Sequence, residues 1–262
     1  MYKNTIEKNS LIKIASKYNL NEQIINNRFL YILEESLKEL DKFKNILLLT
    51  CSNRYQYDKN NIDIPKSKIL SMIFNEALKD KSKLIDITEL KIYPCEGNVS
   101  RAEGNECGLK KATLKDYDKN PTGDLRCWAS VNNKDDELWK ISKELFNSDI
   151  VLFFSSVRWG QTNMHYQKLI ERLTWLENRH TTLGENNIIK DINSGFICTG
   201  QNWNGIQVVN TQKMVHKFFG FKTNDKLYWN WQYTDLINDE TQKSYKNSHK
   251  KFNNDFNPTF EV

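Results

Sequence analysis

The residues best placed to do chemistry follow a short apolar run, Ile46, Leu47, Leu48 and Leu49. Thr50, Cys51, Ser52, Asn53 and Arg54 come next, and a helical pattern opens near Lys66 with Ser67 at its start. The apolar run has the pattern of a strand buried on both faces. Hydroxyls and a guanidinium after such a strand, followed by a helix N-terminus, are one way to hold a phosphate. The turn supplies donors and the helix dipole favours negative charge. The same residues would also serve as an ordinary strand-to-helix connection. Two later strands end in comparable fashion. DIVLFFS at 149–155 runs into Ser156, Val157, Arg158, Trp159 and Gly160, and GFICT at 195–199 runs through Thr199 into Gly200 and Gln201.

Other reactive side chains are less organised. The four histidines, His165, His180, His216 and His249, show no metal-ligand spacing, and His165 reads as a helix-surface residue. Of five cysteines, Cys51 and Cys198 sit on strands, while Cys95, Cys107 and Cys127 fall in an irregular stretch. An iron–sulfur cluster takes four thiolates, so the expectation is free thiols and no metal. An odd cysteine count without an export signal argues against a disulfide framework.

These groups need a frame. Residues 4–43 read as helices, packed on the main domain or on a partner subunit. Helical spacing recurs at 66–79, 135–146, 164–177 and 208–219, and strands are expected at 46–49, 84–90, 149–155, 195–199 and 226–231. Alternating strands and helices imply an α/β doubly wound sheet of five parallel strands, order 2-1-3-4-5. In that order the polar loops after the first, third and fourth strands meet outside the strand carboxyl ends, where such sheets bind ligands. The stretch 93–134 holds Tyr93, Trp128 and four glycines, lacks periodicity, and is expected to cover the crevice. Three segments result: helices at 1–43, the sheet domain at 44–246, and a loosely ordered tail at 247–262.

Composition narrows the classes. The chain has 262 residues, 39% hydrophobic and 27% charged, with a formal net charge of +5. Its basic residues are dispersed, so no nucleic-acid partner is expected. No apolar stretch reaches the roughly 20 residues that span a bilayer, and no leader is visible. The expectation is a cytoplasmic protein with no membrane partner.

The pieces LLLTCSNR, KDDELWKISKELFNSDIVLFFSSVRWG, KLIERL and GFICTGQNWNG carry a more specific message. Across residues 44–221 they resemble the NADPH-dependent FMN reductase and iron–sulfur flavoprotein group of the flavodoxin-like fold. The resemblance implies that Ser52, Arg54 and Ser67 bind the FMN phosphate. It matches Asp135 and Asp136 to an acidic pair, and Lys168, Glu171 and Arg172 to a basic–acidic–basic set on the next helix. It implies that Ser156, Val157, Arg158, Trp159 and Gly160, with Ser156 where proline is usual, meet the flavin together with Thr199, Gly200 and Gln201. No catalytic side chain is implied, because the flavin carries the chemistry. The implied function is hydride transfer from NAD(P)H through FMN to a quinone, nitro- or azo-aromatic, or flavin acceptor. Two alternatives stand beside it: an electron-transfer module that does not oxidise NAD(P)H, and a non-flavin regulatory protein with a phosphate ligand. The resemblance also implies a homodimer or homotetramer, with Trp159, Trp203, Trp229 and Trp231 as contact candidates.

Overall fold

A computed structural model describes residues 8–18, 20, 27–54, 64–200, 204–232 and 255–258. Two helices open it, α1 (Lys8–Lys17) and α2 (Asn27–Leu40). Then come β1 (Ile46–Thr50), α3 (Lys66–Leu78) and β2 (Ser82–Asp86). After the irregular stretch, with its short α4 (Trp128–Asn132), follow α5 (Leu138–Phe146), β3 (Ile150–Arg158) and the two-residue β4 (Gln161–Thr162). The chain continues with α6 (Met164–Thr181), β5 (Asn193–Gly200), α7 (Gly205–Phe219), β6 (Lys222–Gln232) and β7 (Asp255–Pro258). The sheet order is β2-β1-β3-β5-β6-β7, with β4 paired only to β3. Its first five strands are mutually parallel. This is the expected 2-1-3-4-5 order, counted without the small hairpin strand.

Side-chain alternation along the strands divides the core in two. Leu47, Leu49, Val151, Phe153, Phe196 and Tyr228 face α5, α6 and α7. Ile46, Leu48, Ile150, Leu152, Ile197, Trp229 and Trp231 face α1, α2 and α3. The topology explains why helices before β1 are needed on the second face. A right-handed crossover from β1 to β2 puts α3 on one face, and the later crossovers, stepping the opposite way, put their helices on the other. A single crossover helix cannot cover five strands, and α2 completes the layer over β6. The Trp229 indole donates to Ser36 at 3.0 Å, Ser36 donates to the Lys226 carbonyl at 3.1 Å, and Lys226 pairs with Glu35 at 2.8 Å. Trp229 and Trp231 are fully buried by this arrangement, which removes them as subunit contacts; Trp203 lies outside the described residues.

Three expectations change. The second strand stops at Asp86, because its carboxylate accepts from the Thr88 amide at 2.9 Å and turns the chain into a 3-10 helix at Ile87–Glu89. The tail is not loose throughout, since Asp255–Pro258 pairs antiparallel with β6. The irregular stretch does not cover the strand carboxyl ends. It packs along the far half of α6: Arg172 donates to the Tyr93 carbonyl at 2.7 Å, Asn178 to that of Cys107 at 2.7 Å and Arg179 to that of Asp124 at 3.1 Å. At about 1.5 Å per residue, these contacts start about 13 Å along the helix from its N-cap.

Candidate functional site

The carboxyl ends of β1 and β3 and the N-terminus of α6 meet at one side chain. Asn163 is the N-cap of α6, and its Oδ1 accepts from the Tyr166 amide at 3.1 Å. A helix N-terminal amide needs an acceptor, so the carboxamide oxygen must face the helix and its NH2 the sheet. That NH2 lies 3.0 Å from the Ser155 hydroxyl and 3.2 Å from those of Ser52 and Ser156. Ser67, at the start of α3, donates to Ser52 at 2.7 Å. The Ser52 oxygen therefore accepts twice, which fills its lone pairs. Its own proton is left for an acceptor beyond the cluster. The Tyr166 amide fixes the orientation of the Asn163 carboxamide, and with Ser67 donating inward it is Ser52 that has a proton to offer a ligand.

The first turn of α3 strengthens that character. It contains no acidic residue, and its N-cap, Pro65, supplies no side-chain bond. The helix dipole favours an anion there. Ser52 and Ser67 are buried beside it, and Arg54 is exposed two residues further on. The residues present fit a phosphate.

The neighbouring wall is a hairpin, because β3 runs on beyond the strand expected at 149–155. Val157 pairs with Thr162 and Arg158 with Gln161, so Trp159 and Gly160 form a two-residue loop. Their φ values, +50° and +70°, are the pattern of a type I′ turn. Glycine suits that geometry; tryptophan is strained in it. The Asn204 side-chain amide donates to the Gly160 carbonyl at 2.7 Å and ties the hairpin to the start of α7. Trp159 nevertheless stands 89% exposed. Thr199 lies opposite Ser156 in the β3–β5 ladder. A Cβ at Gly200 would sit 3.2 Å from Val157 Cγ2, so glycine there lets β5 lie against Val157 without displacing its side chain. Gln201 lies outside the described residues.

The remaining titratable groups are poorly suited to acid–base work. Burial pushes the Cys51 thiol, and that of Cys198, well up. Cys107 is pushed up to about 12, first by burial and then by Cys127 and Cys95. Burial and Lys168 hold His165 below its ordinary range, against a smaller opposing effect of Asp86. Asp135 is exposed and paired with Lys91, whereas Asp136 is buried against Arg172, at 2.8 and 2.9 Å. That motif is structural. Among the described residues no group of three His, Cys, Asp or Glu side chains is arranged to hold a metal ion.

The sequence pointed to Ser52, Ser67 and Ser156, and the fold brings these together with one another. It missed Asn163, and Ser155, the first residue of the loop, joins the same cluster. An asparagine immediately before the periodic run that becomes α6 is an N-cap signal, and it could have drawn attention to Asn163.

No family model matches the sequence, and no curated protein matches it. Solved structures do. RosB, in a structure with bound 8-demethyl-8-formylriboflavin-5'-phosphate, is 11% identical with a TM-score of 0.50, over 80% of this chain and 73% of that one. The azoreductase AzrA is 13% identical with a TM-score of 0.43, over 79% of this chain and 96% of that one. The Trp repressor binding protein from Bacillus subtilis is 10% identical with a TM-score of 0.39, over 78% and 94%. At such identities the likeness concerns the fold. With its parallel strands in the order β2-β1-β3-β5-β6, this chain has the flavodoxin-like α/β fold.

Proposed function

We propose that this chain is an FMN-dependent oxidoreductase that takes reducing equivalents from NAD(P)H and gives them to a small-molecule acceptor such as a quinone, a nitro- or azo-aromatic, or a flavin. The observation that carries the reading is the donor polarity of the Ser52–Ser67–Asn163 cluster beside the N-terminus of α3. An anion is the ligand such a cluster suits. The ligand in the RosB structure is a riboflavin 5'-phosphate derivative, which is consistent with a flavin phosphate at this place.

In this reading Ser52, Arg54 and Ser67 hold the phosphate. Ser156, Val157 and Gly160, with Thr199, Gly200 and Gln201, border the ring, and Arg158 and Trp159 stand at the rim. When bound, FMN supplies the two-electron carrier between nicotinamide and acceptor. The protein contributes position and electrostatics. Neutral buried thiols at Cys51 and Cys198 keep the floor under the site apolar. The chain is also proposed to act as a homodimer or homotetramer, which light scattering at micromolar concentration tests.

The decisive experiment is the visible spectrum of freshly purified protein, followed by steady-state oxidation of NADH and NADPH. Flavin bands near roughly 375 and 450 nm are expected, a property of the cofactor. Their absence after incubation with FMN and removal of the unbound flavin would overturn the reading. Bound flavin without NAD(P)H oxidation would reduce it to an electron-transfer module. Arg54→Ala should weaken FMN by about 10–100-fold, the loss expected for a charge-assisted contact, as read by flavin fluorescence titration.

A further inference from the structure

Trp159 combines two unfavourable features. Its backbone occupies the left-handed region at φ +50°, and its indole is 89% exposed to water. Glycine would remove the strain, and a polar residue would remove the exposed apolar surface. Strain of this kind persists where the surroundings enforce it, and such positions cluster at ligand sites. Here the enforcement is visible. The β3–β4 pairing fixes both sides of the turn, and Asn204, itself left-handed at φ +63°, holds the Gly160 carbonyl.

The hairpin prolongs the strand that carries Ser155 and Ser156, and it holds Trp159 out in solvent on a rigid support. Met164, the first residue of α6, is 68% exposed and follows the hairpin by a few residues. Arg158, which precedes Trp159 in the chain, is exposed as well. Residues 158–164 therefore expose a flat aromatic surface, a polarizable thioether and a cation along one short piece of chain. Flat aromatic ligands stack on the first, sulfur contacts ring edges, and a guanidinium attracts an anionic substituent.

We infer that Trp159 is a stacking platform for a planar, anionic aromatic electron acceptor, held at the mouth of the crevice. It is a specificity-determining residue for the acceptor and not a wall of the cofactor site. Because the platform is already rigid, little ordering is needed when the ligand arrives. The inference deepens the oxidoreductase reading and rests on it for the ligand's role, but the stacking itself is testable without turnover.

The probe is anthraquinone-2-sulfonate, titrated calorimetrically into the purified full chain without NAD(P)H. Saturable binding is expected. Trp159→Gly should weaken it about tenfold, the upper range for one aromatic pair, whereas Trp159→Phe should keep most of the affinity. Trp159→Gly should also melt at the same temperature or higher, which separates lost stacking from misfolding. No binding by the parent chain, or equal affinity in Trp159→Gly, overturns the inference. So does a shift from dimer to monomer in Trp159→Gly with affinity unchanged, which would make the indole a contact between copies. If the protein lacks flavin yet shows the tenfold loss, the platform stands and the flavin reading falls. If flavin bands are present and Trp159→Gly binds with equal affinity, the flavin reading stands and the platform falls.

Discussion

Asn163 performs two tasks with one side chain, and replacement can separate them. Its oxygen caps α6 and its NH2 shares two hydrogens among the hydroxyls of Ser52, Ser155 and Ser156. Asn163→Asp keeps the cap but presents a carboxylate to the serines, which then donate inward. The melting temperature should hardly move while FMN affinity falls by about tenfold or more. Asn163→Ala loses both tasks and should destabilise by about 1–3 kcal/mol. His216 sets a different test. Its ring lies 2.9 Å from the Tyr166 hydroxyl and 2.8 Å from that of Tyr228, fully buried. Burial holds its pKa down to about 3, against an ordinary 6.5. The unfolded chain therefore takes up a proton that the folded chain refuses. The stability due to neutral His216 is complete above about pH 6.5 and drains away as pH falls toward 3, by at most about 1.4 kcal/mol per pH unit. Urea midpoints at pH 7, 5 and 4 should fall more steeply for the parent chain than for His216→Gln. Residue types alone revealed the serines, because hydroxyls after a buried strand form a recognisable pattern. They did not reveal the donor polarity, which depends on a helix cap more than a hundred positions away from Ser52.

The element that organises the first face is α6, between α5 and α7. Its N-terminus orders the site, and its far half holds the irregular stretch through Arg172, Asn178 and Arg179. Arg172 and Asp136 are both fully enclosed, and Ser130 bonds to each at 2.8 Å. Removing one partner strands a buried charge. Arg172→Met should therefore destabilise by about 3–5 kcal/mol, and adding Asp136→Leu should recover most of it. Chemical denaturation of the three proteins checks this, with flavin content unchanged wherever the fold survives. Strand positions were legible because a short, continuous apolar run between turn residues suits a strand buried on both faces. The hairpin at 157–162 was not, since Trp-Gly lacks the asparagine or aspartate that usually marks a type I′ loop. Nor was the course of 93–134, whose anchors are single polar contacts and a few buried apolar residues, Leu125 and Ala129 among them, with no periodicity.

For the whole molecule, the order of the sheet followed from alternating elements and the handedness of crossovers. The place of α2 did not, because it depends on which face the crossovers leave bare. Phe29 packs against Trp231 with centroids 6.1 Å apart, and Leu33, Leu37 and Leu40 join the core that includes Leu227 and Trp229. Deleting residues 1–43 should uncover these tryptophans. The shortened chain is expected to aggregate or to lose cooperative unfolding, with red-shifted tryptophan emission as the readout. The same contact has a consequence during synthesis. The bonds that seat α2 link residues 190 to 193 positions apart in the chain. At about 5–20 residues per second, the first helices leave the ribosome roughly 10–40 seconds before their binding surface on β6 exists. A nascent chain stalled ahead of residue 222 should remain protease-sensitive in α2, and one released after residue 232 should become resistant.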